Sequence, residues 1–164
     1  MHFTFTNEYP ASRVDEIVSY LVGPRLWVPS SDYPDFLDWA ERSHRALVQG
    51  SKRAVIALTS GDVAGVIIYQ RHKQHRDALE LKNLTVRPDL HGRHIASFLL
   101  RNAEIEGARE FNSRLVVCDA KAKNFAICRF LLSHHYTIAA RRDLYTLDSG
   151  VDLVYHKPMP CGAT

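Results

Sequence analysis

The chain has 164 residues, of which 46% are hydrophobic and 24% charged, so it is long and apolar enough to fold as one domain with a substantial core. This balance argues against intrinsic disorder, and the formal net charge of +3 favours an anionic ligand without indicating a nucleic-acid binder. Three cysteines argue against a disulfide framework and favour a reducing compartment. Since no stretch resembles a signal peptide or a membrane span, we expect a cytoplasmic protein without membrane attachment.

The first half of the chain alternates between patterns typical of helices and of strands. Val14, Ile17 and Leu21 recur at helical spacing behind Ser12, which we expect to act as an N-cap. A loop over residues 25–34 carries Trp27 and Tyr33, which could wall a pocket for a substrate. In order, we predict a strand at 2–6, a helix from Ser12 to Gly23, a second helix from Pro34 to Gly50 that buries Trp39, and a hairpin of strands 53–59 and 63–70.

The segment from 79 to 100 predicts a strand, a turn and a helix in immediate succession. A β-rich apolar run ends at Val86, because the following Arg87-Pro88 pair stops an extended segment. From His94 onward the apolar spacing is helical, with Phe98 and Ile105 on the apolar arc and Glu104 opposite. The turn with Gly92 therefore leads directly into a helix N-terminus, where unpaired N–H groups and the helix dipole favour an anion such as a phosphate.

The last third of the chain adds three strands and one helix. We predict a strand at 114–120, an apolar helix at 125–132 and two strands at 136–146 and 151–159. The order β-α-α-β-β-β-α-β-α-β-β over residues 1–164 predicts a single domain of the α/β (α+β mixed) class. Its sheet should be mixed and mostly antiparallel, with helices on both faces.

The segment His91 to Ala96, followed by Asn124, resembles the GNAT superfamily of N-acetyltransferases. In that family a strand leads into a pyrophosphate loop of the form Gln/Arg-x-x-Gly-x-Gly/Ala, and an Asn opens a later helix. Ala96 fits this pattern, whereas His91 and His94 stand where Gln/Arg and Gly are usual. The resemblance covers about residues 53–159. It implies acetyl-coenzyme A as co-substrate and the amine of a small molecule or peptide as acceptor.

The resemblance also implies which residues contact acetyl-coenzyme A. The end of the central strand would bind the pantetheine arm through its backbone, and the following loop would offer N–H groups to the pyrophosphate. Arginines of the loop would add positive charge, and the Asn of the second motif would hydrogen-bond the pantetheine. The implied residues are Leu84, Thr85, Val86, Arg87, His91, Gly92, Arg93, His94, Ile95, Ala96 and Asn124.

Transfer of an acetyl group to an amine requires an unprotonated amine, and therefore favours a general base. Glu80 is the first candidate, because some family members carry a catalytic Glu six residues before the position of Val86. The alternative is a solvent-facing Glu paired with Lys52, Arg53 or a base of the hairpin tip. Asp119 is the second candidate base.

The general acid is less clearly indicated. The family often places a Tyr seven residues after the second-motif Asn, but this chain has Leu131 there. Tyr145 is therefore the candidate acid, with solvent as the alternative, and Tyr136 is expected to pack in the core.

Two other functions are compatible with the sequence. Leu131 and the loop histidines suggest a non-catalytic domain that binds or senses coenzyme A. A basic hairpin tip suggests action on aminoacyl-tRNA, although nucleic acid is not the favoured partner. The basic residues of this tip are Arg71, His72, Lys73, His75 and Arg76. No Cys or carboxylate accompanies the H-x-x-H pairs at ligand spacing, so we expect no metal. A homodimer remains open.

Overall fold

The computed structural model describes residues 1–23, 35–144 and 150–160. No helix in these ranges is long and apolar enough to cross a lipid bilayer. The strands are β1 (Thr4–Thr6), β2 (Arg53–Thr59), β3 (Asp62–Arg71), β4 (Ala78–Val86), β5 (Leu115–Lys121), β6 (Thr137–Arg142) and β7 (Asp152–Pro158), and the helices are α1 (Ala11–Val22), α2 (Phe36–Gln49), α3 (Ile95–Phe111) and α4 (Phe125–Ser133).

The strands form one seven-stranded sheet in the order β1-β2-β3-β4-β5-β7-β6. Every neighbouring pair is antiparallel except β4 and β5, which run parallel in the middle of the sheet. The predicted mixed, mostly antiparallel sheet is therefore confirmed. The parallel pair is the only place among the described strands where two neighbours point the same way, and the candidate site lies there.

Helices cover both faces of the sheet, as predicted, because successive side chains of β2 and β3 point to opposite faces. One core lies under α1 and α2, and the other lies under α3 and α4. The first contains Val14, Ile17, Leu21, Leu47, Ala54, Ile56, Val66 and Ile68. The second contains Val55, Ala57, Ile67, Tyr69, Leu79, Leu81, Leu99, Ala103, Cys118, Ala120 and Leu131 among others.

A glycine allows α3 to pack closely on the central strand. A Cβ atom at Gly107 would lie 2.5 Å from Cδ1 of Leu79, and Leu79 is fully buried. A side chain at this position would have to displace Leu79 from the close-packed core, so the glycine permits the close approach of α3 to β4.

Two details of the helices differ from the sequence predictions. Helix α1 begins at Ala11 with Pro10 as its N-cap residue, so Ser12 lies inside the helix and is not the cap. On α3, Phe98 and Ile105 are half exposed, whereas Glu104 is buried. The helical wheel misassigned Glu104 because its partners, Tyr136 and Lys157, lie more than thirty residues away in the sequence, as described below.

Candidate active site

The two parallel strands pair over a short length and then separate. Their registered pairs run from Ala78 and Leu115 to Glu80 and Val117 and stop there, although β4 continues to Val86 and β5 to Lys121. We call the opening between 81–86 of β4 and 118–121 of β5 the β4–β5 slot. Because the β4 edge no longer pairs with β5 in the slot, its backbone groups can bind an extended ligand in the manner of an added strand.

A β-bulge bends β4 just beyond the last parallel pair. Thr85 pairs with Val66 and Lys82 with Ile68, so Asn83 and Leu84 together oppose a single residue of β3. Asn83 has φ of 55°, a conformation that Asn tolerates better than most residues. Such bulges increase local twist and re-aim a strand, which explains why β4 leaves β5 here.

Two buried polar side-chain atoms at the bulge have no hydrogen-bond partner among the described residues. Asn83 Oδ1 and Thr85 Oγ1 are buried without a hydrogen bond in the described part of the chain. Buried polar atoms are nearly always satisfied, so these two are candidates to bind a ligand in the slot. Thr85 is among the residues that the family resemblance implied, whereas Asn83 is not. An Asn within an apolar strand was the signal that could have indicated it.

The loop after β4 places several backbone N–H groups at one point. A 3₁₀ turn, Pro88–Leu90, leads to Gly92 and His94, which have φ of 75° and 59°. Helix α3 follows at once, and the N–H of Phe98 bonds to the carbonyl of His94 at 3.1 Å. The N–H groups of the preceding first turn, from Ile95 on, have no carbonyl within the helix, so the predicted anion site has the expected backbone geometry.

Side chains of the loop are tied to neighbouring residues. His91 Nε2 lies 3.0 Å from the carbonyl of Val86 and thereby links the loop to the strand end. Arg87 donates to both carboxylate oxygens of Asp89, at 3.1 and 2.7 Å, and this hydrogen bonding raises the pKa of Arg87. Arg93 and His94 are exposed. The roles that the resemblance gives to these side chains stay predictions.

Helix α4 is fastened to the first turn of α3 by a contact that the sequence did not indicate. His134 Nε2 lies 3.0 Å from Ser97 Oγ, and His134 Nδ1 lies 2.8 Å from the carbonyl of Phe130. Since a carbonyl only accepts, Nδ1 carries a proton, and Nε2 shares the second hydrogen bond with the Ser97 hydroxyl. At the other end of α4, Asn124 caps the helix by accepting from the N–H of Ile127 at 3.4 Å.

Glu80 occupies the vertex of the slot. Its Oε2 accepts from Gln70 Nε2 at 2.5 Å, and its Oε1 lies 3.1 Å from Lys82 Nζ. The side chain is 16% exposed, and its ion partner is Lys82, whereas the alternative to a catalytic role expected a solvent-facing Glu paired with Lys52, Arg53 or a base of the hairpin tip. Two contacts hold the carboxylate in one orientation beside the point where the strands part.

Asp119 lies on the same face of the sheet as Glu80. The residues that flank it, Cys118 and Ala120, belong to the core under α3 and α4, so its side chain takes the opposite face. It follows Val117, the partner of Glu80, by two positions. The structure thus brings both candidate bases to the slot, with Glu80 at the vertex and Asp119 farther in.

A cavity of about 380 Å³ adjoins Glu80 on the face of the sheet that α2 covers. Trp39 and Gln70 contribute to its wall, so Trp39 both packs on the core and faces the cavity. The charged residues of the wall are Arg42, Lys52, Lys73, Glu80 and Lys82. Another cavity, of about 450 Å³, is lined by residues 1, 2, 4 and 58–61 at the far edge of the sheet and includes no residue of the slot.

The described residues offer no evident general acid at the vertex. Leu131 is buried in the core, as expected from its type. Tyr136 is also buried and donates its hydroxyl to Glu104 Oε1 at 2.6 Å; burial, with the nearby Glu104, raises the pKa of Tyr136 far above its usual value. Its predicted role in packing therefore accords with the structure. Tyr145 lies outside the described residues, and its role stays a prediction.

Comparison with known proteins agrees with this geometry. A family model described as the acetyltransferase (GNAT) family matches residues 14–136, which include the slot, the loop and the cavity wall. A comparison with curated protein sequences finds no significant match.

Solved structures share the fold along nearly the whole chain. An acetyltransferase described as GNAT-family, from Desulfovibrio desulfuricans, superposes with a TM-score of 0.78 at 14% identity, covering 96% of this chain and 99% of that one. A GNAT acetyltransferase from Staphylococcus aureus Mu50 gives 0.71 at 15% identity, with the same coverage of 96% and 99%. A Salmonella typhimurium protein solved with acetyl-coenzyme A as its cofactor gives 0.67 at 18% identity, covering 99% and 96%.

Proposed function

This chain belongs to the acetyltransferase (GNAT) family, and on that premise we propose that it transfers the acetyl group of acetyl-coenzyme A to a primary amine. The observation that carries the proposal is the β4–β5 slot, whose parallel pairing ends at Glu80 and Val117. The first turn of α3, whose backbone N–H groups have no carbonyl partner within the helix, lies beyond one end of the slot, and the carboxylate of Glu80 lies at the other.

The slot has the dimensions of an extended cofactor arm. From Val86 to Glu80 the strand spans roughly 20 Å, at about 3.3 Å per residue. The pyrophosphate would bind at the first turn of α3, and the pantetheine amides would bond along β4 with Asn83 and Thr85 nearby. This placement brings the thioester to Glu80.

The chemistry needs little from the protein beyond position and one base. The lone pair of a neutral amine attacks the thioester carbon, an N–C bond forms and the C–S bond breaks, with its electron pair leaving on sulfur. The proton released from nitrogen passes to Glu80, directly or through one water. The thiolate of coenzyme A takes a proton from solvent or from Tyr145, and the products are an amide and free coenzyme A.

Two measurements test the proposal. Titration calorimetry with acetyl-coenzyme A measures binding, and release of free thiol in the presence of a panel of amines measures transfer. We expect binding and an amine-dependent release of thiol. Binding without any release would leave only the coenzyme A-binding alternative, and absence of binding would overturn both. Transfer to aminoacyl-tRNA alone would assign the acceptor to nucleic acid.

A further inference from the structure

The cavity beside Glu80 carries an excess of positive charge. Its wall contains four cationic side chains and a single carboxylate: Arg42, Lys52, Lys73 and Lys82 against Glu80. Two of these cations have acidic partners. Lys82 Nζ binds Glu80 Oε1 at 3.1 Å, and Arg42 Nη2 binds Asp35 Oδ2 at 3.0 Å. Lys52 and Lys73 account for the remaining charge.

Lys52 is a partly buried ammonium that has no carboxylate partner among the described residues. Its Nζ donates to the hydroxyl of Ser43 at 3.0 Å and lies 5.7 Å from the ring centroid of Trp39. No carboxylate in residues 1–23, 35–144 or 150–160 lies within 4.0 Å of it. Burial, together with repulsion from Lys82 and Lys73, lowers the pKa of Lys52 to about 8, and attraction to Glu80 opposes only part of this shift. An ammonium in this position gains most from an added negative charge.

Lys73 is presented to the same cavity by an ordered turn. His72 Nδ1 accepts the backbone N–H groups of Gln74 and His75, at 3.1 and 3.2 Å, and so fixes the tip of the β3–β4 hairpin. Burial lowers the pKa of His72, so this imidazole is neutral at pH 7 and adds no charge. The hairpin tip thus supplies one cation in a defined place.

We propose that the acceptor is a small amine that carries an anionic group, a carboxylate or a phosphate, which Lys52 and Lys73 bind while the amine faces Glu80. The inference rests on the proposed function and specifies its acceptor. A cavity of about 380 Å³ has the size of a small-molecule site. An amine with further positive charges would meet like charges on the wall and be disfavoured.

Matched pairs of acceptors test the charge requirement. Amino acids are compared with their carboxamides, and phosphoethanolamine with ethanolamine, at pH 7 and saturating acetyl-coenzyme A. The variant Lys52→Met removes the proposed anion partner. Arg45→Gln removes one positive charge from an exposed position of α2 that pairs with Glu41 and does not line the cavity. Each variant is compared with wild type on the same substrate. The different amine pKa values of the acceptors therefore do not affect the ratio of kcat/KM between variant and wild type.

We expect wild type to acetylate at least one anionic amine, and Lys52→Met to lower kcat/KM for it by about tenfold or more, the usual loss for a hydrogen bond to a charged group. The loss of kcat/KM for the neutral member of the pair should be clearly smaller, and the Kd of acetyl-coenzyme A should stay unchanged. The control variant Arg45→Gln should change none of these quantities. Melting curves establish that the variants fold; should Lys52→Met unfold, Lys73→Met carries the same expectation.

The outcomes separate the two proposals. Acetylation of neutral or cationic amines alone, or an equal loss for both members of a pair in Lys52→Met, would overturn the anionic acceptor and leave the acetyltransferase intact. A protein that binds acetyl-coenzyme A but acetylates no anionic amine would also overturn it. A protein that does not bind acetyl-coenzyme A would instead refute the proposed function. The pair of acceptors that shows the Lys52-dependent difference, amino acid and carboxamide or phosphoethanolamine and ethanolamine, identifies the anion as a carboxylate or a phosphate.

Discussion

Glu80 and Val117 are the last residues that β4 and β5 pair in parallel. Three residues beyond Glu80, the β-bulge at Asn83 turns β4 away from β5. The parallel pairing therefore ends at the candidate base. A ligand lying along the slot therefore ends beside a carboxylate that Gln70 and Lys82 already hold in place.

Replacing Glu80 by Gln should lower kcat/KM by roughly 10²-fold, the lower range for general-base catalysis. The amide has the same shape and can still bond to Gln70, so the Kd of acetyl-coenzyme A should not change. Steady-state kinetics with a saturating cofactor measure the loss.

Glu41→Gln is the matched control, because Glu41 is exposed on α2 and lies outside the cavity wall. Full activity in Glu80→Gln would remove Glu80 from the mechanism and leave Asp119, or positioning alone, to account for transfer.

The low pKa of Lys52 predicts a pH dependence of acceptor binding. Below about pH 8 the ammonium is charged and binds an anionic acceptor; above it the charge is lost. The nearby cations Lys73, Lys82 and Arg42 disfavour the positive charge on Lys52, and the carboxylate of Glu80 favours it. The ratio of kcat/KM for wild type to that for Lys52→Arg should therefore fall as pH rises from 7 to 9, since Arg stays charged. A constant ratio would show that Lys52 does not bind the acceptor.

The same shift acts on stability with a definite sign. The folded pKa of Lys52, about 8, lies below its unfolded value of 10.5, so the unfolded chain binds more protons between these pH values. The contribution of Lys52 to the free energy of unfolding must therefore rise with pH across this window. Urea denaturation of wild type and Lys52→Met should show a steeper rise in wild type, and parallel curves would contradict the depressed pKa.

Local pattern predicted the strands and helices around the slot because periodicity and turn residues act within a few positions. It misplaced Glu104, whose carboxylate binds the Tyr136 hydroxyl and accepts from Lys157 Nζ at 2.9 and 3.0 Å. Lys157 is 53 residues away, and no helical wheel contains it. The positions of Lys52 and Gln70 beside Glu80 likewise depend on how α2 packs and how β3 registers with β4, which are tertiary outcomes.

Tyr136→Phe should destabilise the protein by about 1.5–3 kcal/mol, because the buried Glu104 loses a charge-assisted hydrogen bond. Activity per folded molecule should remain above about a tenth of wild type, since a general acid contributes roughly 10²-fold or more. Urea denaturation and kinetics on the same preparation separate the two effects.

Tyr145→Phe should also retain more than about a tenth of activity, with solvent protonating the thiolate. The stability of this variant provides the control. A loss near a thousandfold in a folded Tyr145→Phe protein would assign the acid to the segment before β7.

His94→Gly should raise the free energy of unfolding by about 1 kcal/mol. His94 has φ of 59°, a left-handed conformation that costs a side-chain-bearing residue roughly 1–2 kcal/mol, partly offset by the greater freedom of glycine when unfolded. His91→Gly is the opposite case, because His91 has φ of −62° and its ring contacts the carbonyl of Val86. That substitution should destabilise.

The His94→Gly variant also decides what the imidazole does at the anion site. With no side chain beside the first turn of α3, the backbone N–H groups are more accessible, so acetyl-coenzyme A should bind at least as tightly as in wild type. Calorimetry measures this Kd, and denaturation of the same sample measures the stability gain. Weaker binding in a more stable protein would mean that His94 itself contacts the cofactor, and the family's glycine would then have been replaced by a binding residue.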